Sequence, residues 1–419
     1  MQQFCFLRVT GLALVPLLVM ASGAKVPSPC DADNGGLTLP PGACARLVAS
    51  KVGSVRQLTV AGNGDLYAAI ASGSHGVLAL RDTNGDGKPD QRATFAPGGA
   101  NDVALHNGYL YVSLNDRILR FRMSPGELAP TGKEETVVSG LPANGSHKSK
   151  SLAFGPGDEM YVTVGSATNS CQEADRQKRS PGKDPCHELE RRAGIWQFSA
   201  QRLGQRLEDG QRFATGMRNP LALTSRDGGK ELFAAIHGRD QLGDNWGFSP
   251  ERNANNPAEE LVRVERGDNF GWPYCYYSNE YHKKVLAPEY GGDGQKVGRC
   301  ADAKDPLMAF PGHWAPLALA FYDAGQFGPK YQGGLFVAFH GSWNRAPLPQ
   351  AGYRVVFVPF SNGRPSGDYT TFAISKEGPT TLRASGVAVA PDGSLYISAD
   401  DNEKIWKVSR ANASERAER

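Results

Sequence analysis

Six times along the chain, an apolar run alternating with small or polar residues meets a Gly-Asx type turn and returns as a second run that ends in small or polar residues. The copies are QLTVAGNGDLYAAI from Gln57, DVALHNGYLYVSL from Asp102, SLAFGPGDEMYVTVGS from Ser151, LALTSRDGGKELFAAI from Leu221, LALAFYDAGQFGPKYQGGLFVAFHGS from Leu317 and GVAVAPDGSLYISADD from Gly386. Period-two alternation around such a turn predicts a β-hairpin. One or two further strands follow most copies, for example GVLALRD from Gly76, RILRFRM from Arg117 and KIWKVS from Lys404. A repeating unit of about four strands is a propeller blade, and blade repeats run about 40 to 50 residues. The pattern therefore predicts an all-β chain: a six-bladed β-propeller of four-stranded antiparallel blades. The later repeats are stretched, which places loop insertions in the third to fifth blades, at Gly165 to Gly194 and Gly238 to Pro316. ARLVAS from Ala45 is placed to complete the last blade and close the ring.

Composition agrees with short strands and many turns: 50 glycines and 28 prolines in 419 residues. A formal net charge of +3, with no lysine-arginine block, does not imply nucleic acid. The N-terminus has Arg8 ahead of an apolar run from Val9 to Met20 and small residues to Ala24, the layout of a cleaved secretory signal rather than a stable membrane span. The organisation expected is a signal peptide at 1–24, a disulfide-linked extension at 25–44, a propeller at 45–410 and a tail at 411–419. Export, periplasmic or secreted, leaves six cysteines for three disulfides. Many pairings are open, and the sequence-adjacent one is the most economical: Cys30 with Cys44, Cys171 with Cys186, Cys275 with Cys300. No Cys-x-x-Cys-His occurs, so a redox enzyme of this sequence would pass its electrons to another molecule.

Polar residues just ahead of the repeat copies share one end of a propeller. They are Arg56 and Gln57, His147 and Lys148, Arg218 and Asn219, His313 and Trp314, and Arg383. Acidic residues in similar number are not apparent, so the pocket reads as electropositive and suited to an anionic ligand with proton-transfer chemistry. FATGMRNP, which carries Arg218 and Asn219, reads equally as a plain strand-entry turn. DTNGDGKPD, from Asp82 to Asp90, spaces oxygen side chains about a glycine as a calcium loop does but lacks the closing Glu, and a turn explains it as well. Trp272, Trp314 and Trp343 are candidates for a sugar-stacking platform or for core packing.

GSHKSKSLAFGPGDEMYVTVGS, ATGMRNP, NNPAEELVRVERGDNFGWPYC, AFHGSWNR and GVAVAPDGSLYISADD together resemble the glucose/sorbosone dehydrogenase family, from about Ala45 to Val408. The resemblance implies a six-bladed propeller using pyrroloquinoline quinone (PQQ) and calcium to oxidise an aldose or pyranose sugar, or a sorbosone-like aldehyde. An external cytochrome or quinone would accept the electrons. By position it implies His147 as general base, and Arg218 and Asn219 at the quinone's reactive edge. Arg383 would hold a quinone carboxylate, and His340 and one of Arg56 and Gln57 would be cofactor contacts. Backbone carbonyls near Gly238 and Arg239 would hold calcium. Asp240, Asp244, Glu259 and Glu260 read as the surface of an insertion. A calcium-dependent lactonase and a noncatalytic carbohydrate- or protein-binding propeller stay open as alternatives.

Overall fold

Each predicted hairpin forms, and each becomes the inner half of an antiparallel sheet. The structure, a computed structural model, describes Met1 and residues 30–411. The expected signal segment beyond Met1 and the tail beyond Ala411 lie outside the described residues. Six sheets of four or five strands follow one another. Blade 1 holds Val55–Val60, Leu66–Ile70, His75–Arg81 and Gln91–Pro97. Blade 2 holds Asp102–His106, Tyr109–Ser113, Ile118–Arg122 and Glu135–Ser139. Blade 3 holds Leu152–Phe154, Glu159–Val164, Gly194–Ser199 and Gln211–Thr215. Blade 4 holds Ala222–Arg226, Glu231–Ile236, Glu259–Val264 and Met308–Phe310. Blade 5 holds Pro316–Tyr322, Gly334–Phe339, Arg354–Val358 and Thr370–Ser375. Blade 6 holds Ala384–Val389, Leu395–Ala399 and Lys404–Arg410, with Ala43–Ala49 as its fourth strand.

That fourth strand is the expected closure. Ala43 pairs with Arg410 and Ala45 with Val408, so the start of the propeller is tied to its end by a sheet ladder. Closure leaves only outer edges free. Two of these are extended: Leu37–Thr38 pairs with the outer strand of blade 5, and Gln205–Arg206 runs parallel to that of blade 2.

Alternation is clean only in some strands. Leu66–Ile70, Gly334–Phe339 and Leu395–Ala399 are buried at every position. A blade packs a neighbour on each face, so both sets of side chains enter apolar seams. Six buried clusters fill these seams, one for each pair of adjacent blades. The inner rim of the seams is closed by polar side chains that reach the next blade's backbone. Asp102 accepts a hydrogen bond from Leu152 N–H at 2.8 Å. Ser113 donates to the Lys150 carbonyl at 2.8 Å, and Ser385 to that of Val55 at 2.7 Å.

All three disulfides pair as expected. Insertions lie in blades 3, 4 and 5, but 238–316 is not one loop, because two strands of blade 4 run through it. Its second half carries a small hairpin, Cys275–Ser278 with Lys283–Leu286, pinned by the Cys275–Cys300 bridge. No helix among the described residues is long and apolar enough to cross a membrane.

Candidate active site at the propeller mouth

In an antiparallel hairpin the residue ahead of the first strand lies beside the residue after the second. Leu152 pairs with Val162, Ala222 with Ala235, Pro316 with Phe339 and Ala384 with Ala399. The rim therefore collects two sets of side chains. His147, Arg218, Asn219, His313 and Arg383 precede inner strands; Ser166, His237, His340 and Asp400 follow their partners.

His147 is half-buried, and its Nδ1 lies 3.0 Å from the carbonyl oxygen and 2.9 Å from Oγ of Ser166. The Ser166 hydroxyl donates to the Thr168 carbonyl at 2.6 Å, so both Ser166 oxygens act as acceptors toward the ring. Nδ1 therefore carries the proton and Nε2 the free lone pair. Burial, then the charges of Arg218 and His237, hold the imidazole well below its ordinary range, and it is neutral at physiological pH. The approach depends on Gly165: a Cβ there would lie 2.5 Å from the His147 Cβ and 3.1 Å from Asn219 Oδ1.

Arg218 is buried, with 4% of its surface exposed. Its Nε donates to the Asn169 carbonyl at 3.1 Å, and Nη2 to Asn169 Oδ1 at 3.0 Å and Asp240 Oδ2 at 2.8 Å. Burial alone would raise Asp240, but Arg218, His313 and Arg176 hold its carboxyl well below the usual range. Asn219 Nδ2 lies 3.4 Å from His237 Nδ1, and His237 Nε2 donates to the Pro316 carbonyl of blade 5 at 2.7 Å. Burial pushes His237 down to about 4, with Arg218 adding to the effect. His313 is buried, donating from Nε2 to the Asn253 carbonyl at 2.6 Å.

A second group closes the mouth from blades 5, 6 and 1. Asp400 receives Arg56 Nη1 at 2.7 Å and lies 2.9 Å from His340 Nε2. Arg383 meets His340 Nδ1 at 3.2 Å and Asp401 at 2.6 Å. Of the two residues at the start of blade 1, Arg56 joins this group. Gln57 instead turns into the central channel, a cavity of about 650 Å³, and donates across it to the Leu317 carbonyl.

Two expectations need correction. Acidic residues are not scarce at the mouth: Asp240, Asp400 and Asp401 pair with its arginines and histidines, so the pocket is charge-compensated rather than simply electropositive. Nor are the acids after blade 4's hairpin all an insertion surface. Asp240, Glu259 and Glu260 are buried and only Asp244 is exposed. Burial pushes Glu259 up to about 8, beside the Gly238 N–H at 3.2 Å, and Glu260 pairs with Lys284 at 2.6 Å.

Sequence reasoning passed over Ser166, Asn169, His237, Asp400 and Asp401. Hairpin pairing could have found Ser166, His237 and the two aspartates, since they follow the second strand of their copies. Lys148 is exposed and makes no bond to the cluster. The tryptophans divide. Trp272 is buried and donates to the Asn169 carbonyl at 3.0 Å; Trp314 packs edge-on against Phe339 and Tyr369. Trp343 is 62% exposed, with the Arg176 guanidinium 5.9 Å from its ring. In the Asp82–Asp90 loop, backbone N–H groups of Gly85 and Gly87 occupy the Asp82 carboxylate at 2.7 Å each, and Thr83 occupies Asp90. Those bonds hold the loop as a turn.

A family profile described as TrAA12-like matches residues 37–411. The chain belongs to the TrAA12-like family. It is 29% identical over 236 residues to a pyrroloquinoline quinone-dependent pyranose dehydrogenase of Coprinopsis cinerea, covering 46% of this chain and 31% of that protein. The calcium structure of a Trichoderma reesei carbohydrate-active enzyme of family AA12 matches the fold with a TM-score of 0.74 at 19% identity, over 90% of this chain and 97% of that one. The holo pyranose dehydrogenase PQQ domain of C. cinerea gives 0.72 at 20% identity, over 89% and 97%. The chain spans about half of one curated relative it matches and about a third of another. The resemblance drawn from the motifs and the six-bladed fold both hold.

In the TrAA12-like fold of this chain the mouth offers donors for an anion. Among the described residues, Arg218 Nη1 makes no hydrogen bond with protein, and Arg56 and Arg383 each keep N–H groups beyond those spent on Asp400, His340 and Asp401. Guanidinium forks of this kind suit a polycarboxylate. The carbonyl oxygens of Gly238 and Arg239 receive no hydrogen bond from any described residue, whereas the next carbonyl, Asp240, accepts from Asn169 and Arg239. Two idle carbonyls suit a hard cation, which needs no carboxylate from this loop. Arg239 could serve only through its backbone, because its side chain is buried against Glu289.

Proposed function

We propose that this chain is a PQQ- and calcium-dependent dehydrogenase that oxidises an aldose- or pyranose-type sugar, or a sorbosone-like aldehyde, and passes the electrons to an external cytochrome or quinone. The observation that carries the reading is a neutral His147 with Nδ1 committed to Ser166, beside a buried Arg218; among the described residues His147 Nε2 and Arg218 Nη1 have no hydrogen-bond partner. His147 Nε2 would take the proton of the sugar's anomeric hydroxyl while the anomeric carbon gives up its hydride to the two-electron acceptor, and a neutral imidazole suits that task. Bound at the mouth, the quinone would supply the two-electron acceptor and calcium the Lewis acid that polarises it. Arg218 and Asn219 would stabilise negative charge as it develops on oxygen. Arg56, His340 and Arg383 would hold the cofactor's carboxylates, and the Gly238 and Arg239 carbonyls the cation. Trp343 offers a flat exposed face for a sugar ring at the rim.

Three disulfides and the N-terminal pattern support a secreted or periplasmic protein, with a signal at 1–24 and the catalytic propeller at 45–410. The acids found at the mouth reopen the calcium-dependent lactonase. Their pairing with Arg56, Arg176, Arg218 and Arg383 counts against it, because those cations compete with a metal for the same oxygens.

Reconstitution tests the reading. Purified protein with calcium and PQQ should show a bound-cofactor absorbance spectrum and reduce a dye with some member of a sugar panel. His147→Ala should bind the quinone and lose turnover. No quinone binding at micromolar concentrations would overturn it, leaving the hydrolase or a noncatalytic propeller.

A further inference from the structure

Asn169 lies in the insertion of blade 3, one residue from Ser170 and two from Cys171, whose bridge to Cys186 closes that insertion. It is fully buried, and every polar atom of its side chain is used. Oδ1 accepts from the Asp240 N–H at 2.9 Å and from Arg218 Nη2 at 3.0 Å. Nδ2 donates to the Asp240 carbonyl at 3.0 Å. Its own carbonyl accepts from Arg218 Nε at 3.1 Å and from Trp272 Nε1 at 3.0 Å. The side-chain amide thus pairs with the backbone of Asp240 as one strand residue pairs with another, donating and accepting at once. Only an amide side chain offers a donor and an acceptor in that planar arrangement. Asp240 in turn holds Arg218 Nη2 from the other side at 2.8 Å.

We propose that Asn169 is the positioning residue that fixes Arg218 at the mouth, by clamping the blade 3 insertion to the loop after blade 4's inner hairpin. The clamp spends Nε and Nη2 of Arg218 and leaves Nη1 as the edge presented to a ligand. It also places the Gly238–Asp240 backbone, because the register of that loop follows from the paired bonds at Asp240. The insertion, which the sequence marks only as a stretch between strands of blade 3, is then part of the site's frame. The catalytic consequence rests on the dehydrogenase reading; the clamp itself does not.

The experiment is nuclear magnetic resonance on the full chain without cofactor, with ¹⁵N-labelled arginine and histidine, in wild type, Asn169→Ala and Arg218→Lys. In wild type, a slowly exchanging Nε–H signal that disappears in Arg218→Lys is expected, because that proton is buried in the bond to the Asn169 carbonyl. In Asn169→Ala it should exchange at least about 10-fold faster. The groups facing His147 are Arg218, His237 and Asp240, so release of the Arg218 charge away from the ring should raise the pH at which His147 titrates. In the reconstituted enzyme the same variant should lose about 10- to 100-fold in kcat with little change in KM, the scale seen when a supporting residue is removed. A folded Asn169→Ala with unchanged exchange and unchanged His147 titration overturns the proposal. Should the variant not fold, wild type alone decides: slow exchange at Arg218 supports the clamp, and exchange as fast as that of exposed arginines overturns it. A chain that shows the clamp and oxidises no sugar refutes the dehydrogenase reading and not this one.

Discussion

Asp102 joins blade 2 to blade 3 through the Leu152 N–H, and its titration gives a direct measure of how strongly that seam is desolvated. Burial raises its carboxyl from 3.8 to about 7, with the Leu152 and Val103 N–H groups pulling the other way. Between those two values the folded chain keeps a proton that the unfolded chain has released, so stability falls as pH rises. At about 1.4 kcal/mol per pH unit, the loss complete by pH 7 is at most about 4 kcal/mol. That is an upper bound, because the carboxyl also borders the central channel, and hydration from there favours ionisation. Asp102→Asn keeps the acceptor for Leu152 and has nothing to ionise. Urea unfolding of both proteins from about pH 4 to pH 8 should show near-equal stability at the acid end. The variant should gain up to about 4 kcal/mol at the alkaline end. A stability difference that stays flat across this range would refute the account of the seam.

Three further outcomes are expected. Since Arg218 helps to hold His147 low, Arg218→Gln should move the acid limb of kcat/KM in the reconstituted enzyme to higher pH, and an unmoved limb would remove Arg218 from the account of that base. Burial would raise Asp400, but His340 and Arg56 outweigh it and hold it low; because Arg56 donates to a charged carboxylate there, Asp400→Asn should cost about 1.5–3 kcal/mol near neutrality. Calorimetry should find that cost present above the unfolded aspartate's range and vanishing as pH falls through the lower folded value. Burial lowers Lys150 from 10.5 to about 7 while it donates to the Pro142 and Lys148 carbonyls below the His147 loop. The unfolded chain keeps that proton longer, so wild-type stability relative to Lys150→Met should rise between about pH 7 and pH 10.5, by at most about 5 kcal/mol, and a flat difference by denaturant titration would count against it.

Much of this protein was determined by its sequence alone. Local pattern defined the six hairpins, since alternation and turn chemistry are properties of adjacent residues, and their spacing left little choice but a closed ring. The cysteine pairing followed from proximity along the chain. His147, Arg218, Arg383 and Arg56 could be gathered at one rim because the first three precede an inner strand and Arg56 stands at the start of one. Tertiary structure decided what those side chains do there. Asp240, Asp400 and Asn169 become partners of Arg218, Arg56 and His340 only when insertions and neighbouring blades fold over the mouth, bringing together residues distant in sequence; Arg56 and Asp400 are separated by 344 positions. Whether a carboxylate beside an arginine is a solvated surface or a buried clamp depends on what excludes water around it. That exclusion belongs to the packed ring, and no window of the sequence contains it.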